Sequence, residues 1–276
     1  MRKQLVIGMP GSGKSTYLGA LRHLVVDGEV DLALGFERFS GDEQHLNTLE
    51  EKWLACEEMD RTGRANEAWV EMILSDRETG EENALAIPDL RGELFVRPAT
   101  RSRFPRDLYE AVRDADGFLL FTNADRPDDT IRIDDLADIM DNEEEERVEL
   151  SAFRPEEMPE EAMIVEFLQM ANRRPLFARH RKIALIVSAW DVVPDGTDPL
   201  EWLASHRPML AQYLQHNEEL WDVRVFGVSA QGGKLPADAK ALQAIGVPSH
   251  RVRVVGHGAA KHDLSAPLRW LVAKNR

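Results

Sequence analysis

A lone cysteine, Cys56, among 276 residues excludes an internal disulfide and any zinc site built on clustered thiolates. Positive charge is scarce as well: 34 Lys and Arg against 49 Asp and Glu give a formal net charge of −15. That balance argues against nonspecific binding to DNA, RNA or anionic lipid, all of which need a positive field. No apolar run is long enough to span a bilayer. The short apolar stretch at 5–7 runs straight into a glycine-rich turn, which is not a signal-peptide design, so the cytoplasm is the expected compartment. No internal repeat occurs. What remains is the make-up of a soluble globular protein, 43% hydrophobic and 30% charged, long enough to bury a core.

Against that background one stretch carries chemistry. Gly8-Met-Pro-Gly-Ser-Gly-Lys14-Ser15 fits G-x-x-x-x-G-K-[ST] without a mismatch, after an apolar strand at 3–7 and before an amphipathic helix. Glycines at 8, 11 and 13 let successive N–H groups turn inward around phosphate oxygens. Pro10, Ser12 and Thr16 complete the lining, Lys14 reaches the β- and γ-phosphates, and Ser15 offers a hydroxyl to Mg²⁺. The next helix, with Leu18, Leu21, Leu24 and Val25 on one face, aims its positive end at the same anion.

Further strands are expected at 117–122, 183–188 and 223–228, short and apolar as in an α/β sheet. The segments 69–75 and 83–87 flank a polar turn containing Gly80 and read as a β-hairpin, placing one antiparallel strand in an otherwise parallel sheet. Helices are expected at 44–59, 106–115, 162–173 and about 199–217, with a last one opening near Ser265 and Pro267. From Asp125 to about Pro159 the chain is strongly acidic. It reads either as a solvated surface insertion or as a docking surface for a basic partner; its carboxylates lack the spacing and the His of a metal site.

Asp89-Leu-Arg-Gly92-Glu93 follows the second hairpin strand. A carboxylate there can hold Mg²⁺ through water, and the Gly92 N–H can reach a γ-phosphate. Ser188-Ala-Trp-Asp191 closes the 183–188 strand, where the carboxylate can accept from N1–H and N2–H₂ of guanine, donors that adenine lacks. Ser229-Ala230-Gln231 ends the last strand with N–H groups suited to a base carbonyl.

In this order the segments resemble the TRAFAC-class, Ras-like P-loop GTPases over nearly the whole chain. Three phrases resemble, within that class, the bacterial double-GTPase group linked to conflict and signalling systems: Trp53-Leu54 with Arg61-Thr62, Ile87-Pro-Asp-Leu-Arg-Gly-Glu93, and Asp263-Leu-Ser-Ala-Pro-Leu-Arg-Trp-Leu271. The resemblance implies a single three-layer α/β G domain over 1–276, with a mostly parallel sheet, one antiparallel hairpin strand and helices on both faces. It also implies an extended first-switch region at 27–62 and the acidic insertion at about 125–160. GTP, GDP and Mg²⁺ are the implied ligands, with Ser15, Thr62 and Asp89 at the metal. Thr62 is then the first-switch threonine, or else merely the start of a turn; Ser40 and Thr48 are weaker alternatives.

Two departures stand out. Ala189 replaces the lysine whose stem covers the base in the family, which leaves Trp190 as the candidate for stacking, and Ser188 is a shorter bridge than the usual Asn. Glu93 replaces the usual Gln, either to orient the attacking water or as an exposed helix-start residue. Arg61 and Arg91 are arginine-finger candidates or plain surface arginines. The reading that follows is a Mg²⁺-dependent GTPase switch, slow without a partner that docks on the switch regions or the acidic insertion. The alternatives are a P-loop phosphotransferase or ATPase, and a pseudo-GTPase module that turns over nothing.

Overall fold

Strands that are covered on both faces need side chains without polar demands, and the central strands of this sheet are such runs. The computed structural model describes residues 1–41, 43–59, 69–88, 93–126 and 158–273. Its strands are β1 (Arg2–Gly8), β2 (Leu34–Ser40), β3 (Val70–Asp76), β4 (Glu82–Ile87), β5 (Gly117–Asn123), β6 (Arg181–Ser188), β7 (Trp221–Ser229) and β8 (Arg253–Val255). They form one sheet in the order β2-β3-β4-β1-β5-β6-β7-β8. β4, β1, β5, β6 and β7 are parallel neighbours.

The helices are α1 (Lys14–Asp27), α2 (Gln44–Ala55), α3 (Glu93–Arg101), α4 (Arg106–Asp114), α5 (Glu160–Met170), α6 (Pro199–His206), α7 (Pro208–Gln215), α8 (Ala239–Gln243) and α9 (Ala266–Val272). Alternate strand residues feed two cores. Val6, Phe121 and Ile186 meet Leu18 and Leu21 of α1, Trp53 of α2 and Leu268 of α9 on one face. Leu5, Ile7, Phe118 and Leu185 meet Phe95, Leu108, Phe167, Leu203 and Leu210 of α3 to α7 on the other. The result is the expected three-layer α/β domain.

The hairpin forms as its turn chemistry dictates. Asp76 Oδ1 accepts from the N–H groups of Glu78 and Thr79 at 2.9 Å, and Gly80 adopts φ +70°, the left-handed region glycine tolerates. β3 runs antiparallel to β4 as expected. Two strands were not expected. β2 pairs antiparallel with β3 at the sheet edge, bulged between Phe36 and Arg38, and carries Glu37, Arg38 and Gly35, a pattern that hides a strand while protecting an edge. β8, three residues long, pairs antiparallel with β7.

Helix boundaries also differ. The expected helix at 199–217 breaks at Arg207, because Pro208 disfavours helical geometry in the residue before it; α6 is capped by Asp198, which accepts from Leu200 and Glu201 N–H. α2 stops at Ala55, with Cys56 left-handed at φ +55°. The region 27–62, expected as a long switch segment, thus contains β2 and α2. Arg61, Thr62, Asp89, Arg91, Gly92 and most of the acidic insertion lie outside the described residues.

Candidate functional site

The phosphate loop is held by its neighbours through the carbonyls it turns away from its centre. Ser188 Oγ donates to Ser12 O at 2.9 Å, and Asn123 Nδ2 donates to Gly11 O at 2.9 Å. Ser188 is therefore long enough to bridge, because the loop approaches very closely at Gly13, where a Cβ would meet Ser188 Oγ at 2.5 Å. Gly13 also has φ +86° at the start of α1, so no side chain is tolerated there on two counts. Gly8 lies behind the loop, where a Cβ would strike Ser12 Oγ at 2.6 Å.

Lys14 is buried, and its Nζ donates to Gly8 O at 2.7 Å, Met9 O at 2.8 Å and Ser12 Oγ at 3.2 Å. Burial pushes its ammonium down to about 7; Glu160 counteracts this and Arg126 adds to it. A buried ammonium so disfavoured gains strongly from an anion placed beside it. The glycine cradle and this cation together fit a polyphosphate.

A cleft of about 820 Å³ runs from this loop across the ends of β5, β6 and β7. Pro10, Gly11, Ser12, Gly13, Lys14, Ser15 and Thr16 line one end; Ser188, Asp191, Ala230 and Gln231 line the other. Asp191 sits in a 3₁₀ turn, Trp190–Val192, after left-handed Ala189 at φ +54°. Ser229 Oγ donates to Asp191 Oδ1 at 2.6 Å and accepts from Gly232 N–H at 3.1 Å. Ser229 itself is buried and acts on the cleft through Asp191. The carboxylate is thus fixed at the cleft wall, as an acceptor for paired N–H donors would need to be.

Trp190 requires a correction. Its indole is buried in the core, against Gly227, where a Cβ would lie 2.2 Å from the ring, and it is edge-on to Trp202. It does not line the cleft, so it cannot stack on a base there. Glu93 is the first residue of α3. Thr48 Oγ1 donates to Gln44 O within α2, which spends it on the helix.

Other participants were not anticipated. Glu57, Glu58 and Met59, after α2, line the cleft, as do Asn123, Asp125, Arg126 and Lys234. Trp53 pegs α2 to the last loop: its Nε1 donates to Ala230 O at 2.8 Å, and Arg251 stacks over its ring at 4.3 Å. Only the Asn at the end of β5 had a sequence signal, a polar residue closing an apolar strand beside the glycine loop.

A glycine loop between a central parallel strand and its helix, with an acceptor carboxylate two strands away, defines a P-loop nucleotide-binding protein. The chain belongs to the Double-GTPase 1 family, DO-GTPase1, whose model matches residues 5–271. No curated protein matches it by sequence. Among solved structures it is similar to a bacterial selenocysteine-specific elongation factor, EF-Sec, with a TM-score of 0.37 and 12% identity over 88% of this chain and 28% of that one. Sup35 complexed with GDP is similar with a TM-score of 0.36 and 16% identity, over 84% of this chain and 38% of that one. The chain therefore spans less than two fifths of either protein. Among the described residues, no helix is long and apolar enough to cross a membrane.

Proposed function

We propose that this protein is a Mg²⁺-dependent GTPase that hydrolyses GTP to GDP and phosphate and acts as a molecular switch. One observation carries the reading: a single cleft joins the Lys14 loop to an Asp191 carboxylate held in place by Ser229. The loop suits a polyphosphate, and the carboxylate suits the paired donors of guanine.

Ser15, Thr62 and Asp89 would hold Mg²⁺, which supplies charge neutralisation between the phosphates. Lys14 and the loop N–H groups bind the phosphates. Ser188 keeps the loop aligned with the base site. Asp191 and the 229–231 turn read the base, and Glu93 orients the attacking water. Thr62 and Gly92 follow the γ-phosphate, so that a partner docked on 27–62 or on the acidic insertion at about 125–160 reads the nucleotide state. Turnover is slow until a partner docks, and the setting is a bacterial conflict or signalling system in the cytoplasm. We take 1–276 as one GTPase domain.

The test is base exchange at Asp191. With Asp191→Asn, GTP affinity falls on the order of 10²-fold and xanthosine triphosphate gains, because an amide can donate to its C2 oxygen. Phosphate release should follow the same switch in preference. GTP binding left unchanged by Asp191→Asn would remove the base-reading role and with it the guanine assignment.

A further inference from the structure

The cleft holds a second cation that no motif singled out. Arg126 follows β5 by three residues, and the turn between them is tied to the phosphate loop by Asn123. Its Nη2 donates to the carbonyl of Pro10. The guanidinium lies against Gly11, where a Cβ would meet Nη2 at 2.6 Å, so the bare, left-handed glycine at φ +70° is what admits it. On its other side Nη1 lies 3.4 Å from Oε2 of Glu160, a buried carboxylate in the first turn of α5.

These contacts hold the planar fork by two edges. A guanidinium has five N–H donors in fixed directions, so one pinned in this way keeps donors for an anion beside it. Lys14 lies within the loop, on the carbonyls of Gly8 and Met9. Arg126 lies outside it, on Pro10 and Gly11. The two cations therefore flank the same phosphate site, close enough that Arg126 lowers the proton affinity of Lys14.

We propose that Arg126 is this protein's own arginine finger, a catalytic residue that stabilises charge on the β–γ bridging and γ-phosphoryl oxygens during GTP hydrolysis. In that step water oxygen bonds to the γ-phosphorus as the bond from phosphorus to the bridging oxygen breaks. Both protons of the water leave with the inorganic phosphate, as H₂PO₄⁻, and the bridging oxygen keeps the electron pair on GDP. Arg126 gives up no proton; it donates hydrogen bonds to the oxygens whose negative charge grows. Glu160 is its positioning residue. The inference rests on the GTPase reading above, but it takes the finger role from Arg61 and Arg91.

The test compares the full-length protein with Arg126→Ala and Arg126→Lys. GTP and GDP affinities are measured with fluorescent analogues, hydrolysis at saturating GTP, and binding of GDP with fluoroaluminate as a mimic of the transferring phosphoryl group. Both variants should hydrolyse on the order of 10²- to 10³-fold more slowly while binding GTP within about threefold of the parent. The parent should trap GDP with fluoroaluminate unaided, and Arg126→Ala should not. Hydrolysis within about threefold of the parent, or fluoroaluminate still trapped by Arg126→Ala, would overturn the proposal. So would a loss of GTP affinity equal to the loss of rate, which would make Arg126 a binding residue. A parent protein that neither binds nor hydrolyses GTP would sink the GTPase reading itself, a result distinct from all of these.

Discussion

Lys14 shows how a single side chain carries more than its motif states. Buried among the carbonyls of Gly8 and Met9, it is a cation that the fold alone holds at a disadvantage. Lys14→Ala should leave the fold intact and weaken GTP by at least about 10²-fold, read by titration, since a charge-assisted bond to phosphate is lost in a dry site. Near-parental affinity would mean the loop does not bind phosphate. Gly11, Gly13, Lys14, Ser188 and Asp191, singled out from the sequence, line one cleft, because each lies at or just past the end of an apolar strand. Trp190, singled out with them, does not, because its direction depends on the bare surface of Gly227 on the next strand. Asn123 carried only the signal of a polar residue closing an apolar strand and Arg126 carried none, because their partners lie more than a hundred residues away.

At the level of elements, periodicity found the strands buried on both faces and the hairpin around Gly80. It missed β2, whose charges suit an exposed edge, and β8, which is too short to show a pattern. It ran one helix through Arg207, although Pro208 gave the signal to stop. Ties between elements were invisible in sequence. Glu29, just past α1, accepts from Ser249 N–H at 3.1 Å and from its Oγ at 2.6 Å, next to His23, which is itself ringed by Asp27 and Glu50. Burial pushes the Glu29 carboxyl up, but the Ser249 hydroxyl and N–H and the His23 ring outweigh it and hold it below its ordinary value.

A carboxyl depressed in the fold contributes stability above its unfolded pKa, about 4.3, and that contribution fades as pH falls through the folded value. Ser249→Ala should therefore cost about 1 kcal/mol at pH 7, measured by urea unfolding, with the gap to the parent closing below about pH 4. A gap that stays constant with pH would show that Ser249 acts through packing alone.

At the scale of the whole molecule, the eight-stranded sheet of the described residues brings the ends of β1, β5, β6 and β7 to one cleft, lined by Gly11 to Thr16 at one end and by Ser188, Asp191, Ala230 and Gln231 at the other. The order of strands and loops was legible because each motif sits where an apolar run ends. The cleft's second wall, Glu57 to Met59, was not, since it depends on Trp53 pinning α2 to Ala230 across the sheet. Calorimetric titration of GTP, GDP and ATP into the protein with Mg²⁺ tests the central claim most directly. The account predicts that GTP and GDP bind on the order of 10²-fold more tightly than ATP, the selectivity expected when a fixed carboxylate is left unpaired by the wrong base. ATP binding as tightly as GTP, or more so, would contradict it.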